Sequence, residues 1–221
     1  MFPKAPDHMF SLRDKTVKSF GYDKNGDTIY HFNSLGYRAN REFQKDAESI
    51  CVFGNTNSFG LGVPFKSTYA ELVSAEIGIP VYNFSWGCYS HTNLDQLDLI
   101  DQVLQVHRPR FVVFQMNNLD RVRKSDTSVS RQNSPQEIKQ NHYLFMDRLH
   151  KTFTNVDHCI LYWDDKEHDL PMPECLIHNR YFLKKKGYYD TKGTEVAIAN
   201  SKSHKLISLK IQEHIRINTI I

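Results

Sequence analysis

The sequence predicts an α/β protein: a parallel sheet with helices on both faces. Three observations predict it. Apolar runs of strand length, at 50–53, 110–116 and 157–163, alternate with longer segments whose apolar residues recur at helical spacing. The first of these strands runs into a turn of glycine and small polar residues, Gly54-Asn55-Thr56-Asn57-Ser58, and a helical segment follows after Pro64. The length of 221 residues, with 40% hydrophobic and 12% aromatic, supplies the core of one generous domain.

Residues 1–45 read as an N-terminal extension and 46–221 as the α/β domain. In the extension, 17–22 and 28–32 flank Asp23-Lys24-Asn25-Gly26. Asn-Gly supplies the positive φ of a tight turn, so this segment predicts a β-hairpin. The domain opens on the strand 50–53. A helix is predicted over 67–78, from its polar start and the glycine that stops it, and then a short strand over 81–84. Residues 92–107 place Leu94, Leu97, Ile100, Val103 and Leu104 on one helical face. The strand 110–116 follows, and 122–133, polar and rich in Ser and Arg, reads as an exposed loop bordering a site. Pro135 at the first helical position opens a helix over 134–153. After the strand 157–163, residues 164–200 read as a long loop with a short strand near 181–183 or 188–190. The helix 201–216 turns Leu206, Ile207, Ile211 and Ile215 inward.

Charge and composition exclude several function classes. A net charge of +3 and the lack of a basic stripe with interleaved aromatics argue against nucleic acid as a partner; Lys184-Lys185-Lys186 reads as a solvated run. The longest apolar runs are strand-sized and the start, MFPKAPDHMF, is too polar for a signal peptide. The expectation is a soluble protein, cytoplasmic or virion-associated, with no membrane partner. Cys51, Cys88, Cys159 and Cys175 form no CxxC pair and read as free thiols. No His/Cys/Asp cluster has zinc spacing, so neither a metal nor a cofactor is expected. A phosphate-loop reading of 54–62 lacks both the lysine after the glycines and a GxGxxG pattern.

Ligands of a parallel α/β sheet bind outside the carboxyl ends of its strands. Three such ends here carry hydroxyls, glycines and amides: Gly54-Asn55-Thr56-Asn57-Ser58, Asn83-Phe84-Ser85-Trp86-Gly87-Cys88, and Gln115-Met116-Asn117-Asn118. A hydroxyl nucleophile with two or three donors for a tetrahedral oxyanion is what acyl transfer needs.

With these blocks in order, the chain resembles the SGNH (GDSL-type) hydrolase family over about residues 32–216. FNSLGYR (32–38) looks like the family's N-x-x-G-[FY]-R lead-in, VFGNTNSFGLGV (52–63) its nucleophile block, and YNFSWGCYS (82–90) its N-x-x-x-G block. FQMNNLDR (114–121) is similar to its third block, and SKSHKLISLKI (201–211) to its last helix. The resemblance implies a flavodoxin-like, three-layer α/β/α sandwich. It puts the nucleophile at Thr56 and the oxyanion donors at the Thr56 N–H, the Gly87 N–H and the Asn118 side chain, with Asn117 the alternative to Asn118.

Three departures stand out. The family's aspartate is Asn55 and its serine is Thr56, whose methyl restricts χ1. The family's Asp-x-x-His, counted back from the last helix, falls on Glu195 and Ile198, and isoleucine takes no proton. Asp165 and His168 keep the Asp-x-x-His spacing after a strand end and are the substitute pair. His178 is a further candidate base, while His204 reads as a capping or packing residue and Ser58 as structural. The implied activity is that of an esterase or acyltransferase on small acyl esters, carbohydrate O-acetyl groups among them, weak or lost for want of a triad. The alternative is a non-catalytic subunit that binds a glycan through Trp86, Tyr89, Asn55 and Asn118, or that builds a protein assembly such as a virion or a homo-oligomer.

Overall fold

In the computed structural model the described residues are 1–18, 28–87, 91–119, 121–125, 128–131, 134–162, 170–174, 177–178, 189–190 and 198–219. In chain order the elements are α1 (Asp7–Phe10), β1 (Thr16–Lys18), β2 (Ile29–His31), β3 (Ile50–Phe53), α2 (Thr56–Phe59), α3 (Tyr69–Ile77), β4 (Val81–Asn83), α4 (Asn93–Leu104) and β5 (Phe111–Met116). These are followed by β6 (Arg121–Ser125), β7 (Ser128–Arg131), α5 (Pro135–Phe153), β8 (His158–Tyr162), β9 (Ile177–His178), β10 (Tyr189–Asp190), β11 (Ile198–Ala199) and α6 (Ser201–Thr219).

Strand alternation builds the two cores. In β3, β5 and β8, residues Ile50, Val52, Phe111, Val113, Cys159 and Leu161 face one side. Cys51, Phe53, Val112, Phe114, Ile160 and Tyr162 face the other. The first side is covered by α3 through Tyr69, Ala70 and Val73 and by α6 through Ile207, Ile211 and Ile215. The second is covered by α4 through Leu97, Ile100 and Val103 and by α5 through Phe145, Leu149 and Phe153. A sheet buried on both faces is why its strands read as continuous apolar runs. The result is the expected three-layer α/β/α sandwich.

The central sheet has the order β4-β3-β5-β8-β9, and every neighbouring pair is parallel. Counted by sheet strands alone this is 2-1-3-4-5, the flavodoxin-like order, with its switch point between β3 and β5.

The helices begin and end where local chemistry dictates. The Thr68 side chain caps α3 by accepting from the Glu71 N–H, and Gly78, at φ 76°, stops it in the left-handed region. Thr92 and Asp95 form a reciprocal capping box on α4. Ser134 precedes Pro135 at the start of α5.

The N-terminal strands β1 and β2 pair antiparallel with Val17 opposite Tyr30, as the hairpin reading requires, while the turn at 23–26 lies outside the described residues. Residues ahead of β3 bury Phe2, Phe32, Tyr37 and Phe43 in the α4/α5 core, where Phe43 stacks on Tyr82 at 4.7 Å.

Two expectations are corrected. Residues 122–133 are not a plain loop: β6 and β7 form an antiparallel ribbon with Arg121 opposite Arg131. A short strand does stand at Tyr189–Asp190, one of the two expected places, but it pairs with Ile198–Ala199 in a separate two-stranded sheet, and the strand that extends the central sheet after β8 is Ile177–His178; 181–188 lie outside the described residues. Two-residue strands are too short for alternation to reveal. Among the described residues no helix is long and apolar enough to cross a membrane.

Candidate active site

The turn after β3 is shaped by crowding. A Cβ on Gly54 would lie 2.7 Å from Ser58 Cβ and 2.8 Å from Gln115 Cβ, so only glycine lets α2 fold back over the end of β5. Asn55 then caps α2, its Oδ1 accepting from the Asn57 N–H at 3.1 Å. Gly60, at φ 77°, ends the helix in the left-handed region. On the far side the Trp86 N–H donates to the Gly54 carbonyl at 3.1 Å, which brings Trp86 and Gly87 beside the turn. Gly87 is pressed against the Phe59 ring, where a Cβ would stand 3.1 Å from the nearest carbon. The blocks after β3, β4 and β5 therefore meet at the carboxyl edge of the sheet, next to its switch point.

Beneath this meeting point runs a buried chain of hydroxyls and amides. Tyr69 Oη donates to Ser58 Oγ at 2.7 Å, and Ser58 Oγ donates to Gln115 Oε1. Gln115 Nε2 donates to Asn55 Oδ1 at 2.8 Å, Asn55 Nδ2 donates to Asn117 Oδ1, and Asn117 Nδ2 donates to the His91 carbonyl at 3.4 Å. Asn93 closes the end of the chain by bonding both backbone groups of Asn117, at 2.6 and 3.2 Å. Asn83 joins from β4, its Nδ2 donating to the Ser58 carbonyl at 2.8 Å. Burial holds the Tyr69 phenol protonated, against a smaller opposing effect of its bond to Ser58.

Thr56 opens α2 at the expected place, but it is buried. The residue is 1% exposed, and its hydroxyl has no hydrogen-bond partner among the described residues. Asn117 is fully buried with both ends of its amide engaged inside the protein, whereas Asn118 is the half-buried member of the pair. Asn55 is likewise spent on the internal chain. Trp86 is half-buried, edge-on to the His91 ring at 4.5 Å.

Asp165 and His168 lie outside the described residues, as do Cys88, Tyr89 and Glu195. The backbone of β11, which carries Ile198, packs against α2. His178 stands opposite Tyr162 on β9, three strand spacings from β3, about 14 Å across the sheet. His204 is fully buried; its Nδ1 accepts from the Tyr69 N–H at 2.9 Å and its ring stacks on Tyr69 at 5.5 Å. It caps α3 rather than its own helix. Burial, with a smaller effect of the nearby Arg38 charge, pushes its pKa down to about 3.

Sequence reasoning gave no role to Gln115, Tyr69 or Asn93. Gln115 carried a signal: it is the one polar residue in an otherwise apolar buried strand. A groove of about 690 Å³ lined by Lys45, Glu48, His107, Arg108 and Arg110 opens at the opposite, amino end of the sheet, away from these groups.

No family model matches the chain, and no curated protein matches it. Among solved structures it is similar to an acetyl xylan esterase, Est2A, from the rumen bacterium Butyrivibrio proteoclasticus, at 10% identity and a TM-score of 0.48, covering 87% of this chain and 67% of that one. It is also similar to a member of the lipolytic protein G-D-S-L family from Veillonella parvula, at 12% identity and a TM-score of 0.47, covering 76% and 97%. A carbohydrate esterase family 2 enzyme with a carbohydrate-binding domain, from Corynascus thermopiles, is similar at 11% identity and a TM-score of 0.44, covering 85% and 70%.

Proposed function

We propose that this chain is an SGNH-type protein, by descent an esterase or acyltransferase for small acyl esters such as carbohydrate O-acetyl groups, in which ester cleavage is weak or lost. The resemblance of its sequence blocks, and their meeting at one edge of a 2-1-3-4-5 sheet, support the descent. One observation carries the loss: Thr56 is 1% exposed, and its buried hydroxyl is bonded to no imidazole among the described residues. A hydroxyl without a base is a poor nucleophile at neutral pH, and a missing triad member removes several powers of ten in rate. The backbone of β11 is consistent with this: the strand that packs on α2 carries Ile198 at the position where the resemblance expects the histidine.

The internal engagement of Asn55 and Asn117 favours a second reading, a non-catalytic domain whose cleft holds an uncharged glycan against Trp86 and Asn118. Hydrolysis of p-nitrophenyl acetate separates active from inactive. The expected rate is close to that of the Thr56→Ala variant. Vigorous turnover that Thr56→Ala abolishes would overturn the proposal.

A further inference from the structure

Arg38 is 1% exposed, and no carboxylate pairs with it among the described residues. Its guanidinium lies 4.3 Å from the centre of the Tyr30 ring and forks onto the exit of the Thr56 turn. Nη1 donates to the carbonyls of Phe59 and Gly60, at 3.0 and 2.5 Å, and Nη2 donates to that of Val63 at 2.7 Å. The same loop is held by two more residues of the N-terminal segment. Tyr30 Oη accepts from the Gly62 N–H at 2.7 Å, and Thr28 Oγ1 donates to the Gly62 carbonyl at 3.5 Å.

A four-residue helix followed by two glycines at φ 77° and 74° does not hold its own shape. Its carbonyls must be bound from outside, and the residue that binds three of them is Arg38. Burial, only partly offset by Tyr30 and the Glu71 carboxylate, drives the guanidinium pKa down to about 10, a cost that a neutral packing residue would not bear. Lysine, a single point charge, does not reproduce the fork.

We propose that Arg38 is a positioning residue of the nucleophile turn: from behind the cleft it sets where Thr56 stands. Its consequence for chemistry rests on the reading of Thr56 given above. The test uses the full chain with Arg38→Lys, Arg38→Met and Arg38→Ala, and two readouts. The first is the rate at which a millimolar fluorophosphonate labels Thr56, by intact mass. Whatever labelling the wild type shows is expected to be lost in all three variants, beyond any loss of folded protein, and to recover in Arg38→Ala with added guanidinium ion. The second is amide exchange, expected to rise across 56–63 while β3, β5 and α5 stay protected. If wild-type Thr56 is never labelled, its residual reactivity is refuted and exchange alone decides the placement. Labelling that merely tracks the folded fraction, or exchange that is unchanged or rises everywhere, overturns the role of Arg38.

Discussion

Asn55 shows how one atom settles the orientation of its neighbours. Its Oδ1 accepts from Gln115 Nε2 and from the Asn57 N–H, which leaves Nδ2 to donate to Asn117 Oδ1. That in turn aims Asn117 Nδ2 at the His91 carbonyl. An aspartate, the residue the resemblance expects at 55, has no donor for Asn117. Asn117 would then have to turn, bringing its oxygen against the His91 carbonyl. Asn55→Asp is therefore expected to destabilise the fold by about 1–3 kcal/mol in urea denaturation at neutral pH. A neutral or stabilising effect would show that the chain of amides is not directional. The block around 55 was legible as a nucleophile turn because glycine and small polar residues follow a buried strand. The burial of Thr56 and the internal bonding of its neighbour Ser58 were not legible, because they depend on distant parts of the chain: Gln115 and Tyr69, the partners of Ser58, lie 57 and 11 residues from it.

At the scale of elements, the junction of α3 and α6 ties stability to pH. His204 Nδ1 accepts from the Tyr69 N–H, so the neutral ring carries its proton on Nε2. A second proton on that ring would oppose both the N-terminus of α3 and the Arg38 charge. The folded pKa, about 3, lies below the ordinary value of 6.5, so folding favours the neutral ring. The stability it confers is complete above pH 6.5 and is lost as pH falls toward 3, at up to about 1.4 kcal/mol per pH unit. Urea midpoints measured across that window should fall steeply in the wild type and more gently in His204→Gln; parallel curves would refute the assignment. Periodicity made the long helices and buried strands legible, because each shows one face to a core. The ribbon β6–β7 and the two-residue strands escaped because neither length nor apolar alternation marks them. The aromatics of 2–43 looked like an appendage, yet Phe2 and Phe43 pack on Tyr82 of β4, a contact that no local pattern encodes.

For the molecule as a whole, the two sheet faces seal both strand cysteines. Cys51 and Cys159 are buried free thiols. Burial, only partly offset at Cys51 by the Ser49 hydroxyl, pushes that thiol up to about 12, and burial raises Cys159 as well. Neither should be alkylated by iodoacetamide in the native protein, and both should react once urea unfolds it, as peptide mapping will show; native labelling of either would mean that the layers part readily. The layered architecture was legible from the alternation of strands and helices, but the placing of β3 between β4 and β5 follows from the connections and not from any one segment. One face of the sheet waits for α6, whose Ile207, Ile211 and Ile215 cover strands made more than forty residues earlier. During biosynthesis the part of that greasy surface that α3 leaves open stays bare until Ser201–Thr219 clears the ribosome, so nascent chains arrested or clipped upstream are natural clients for chaperones and proteases.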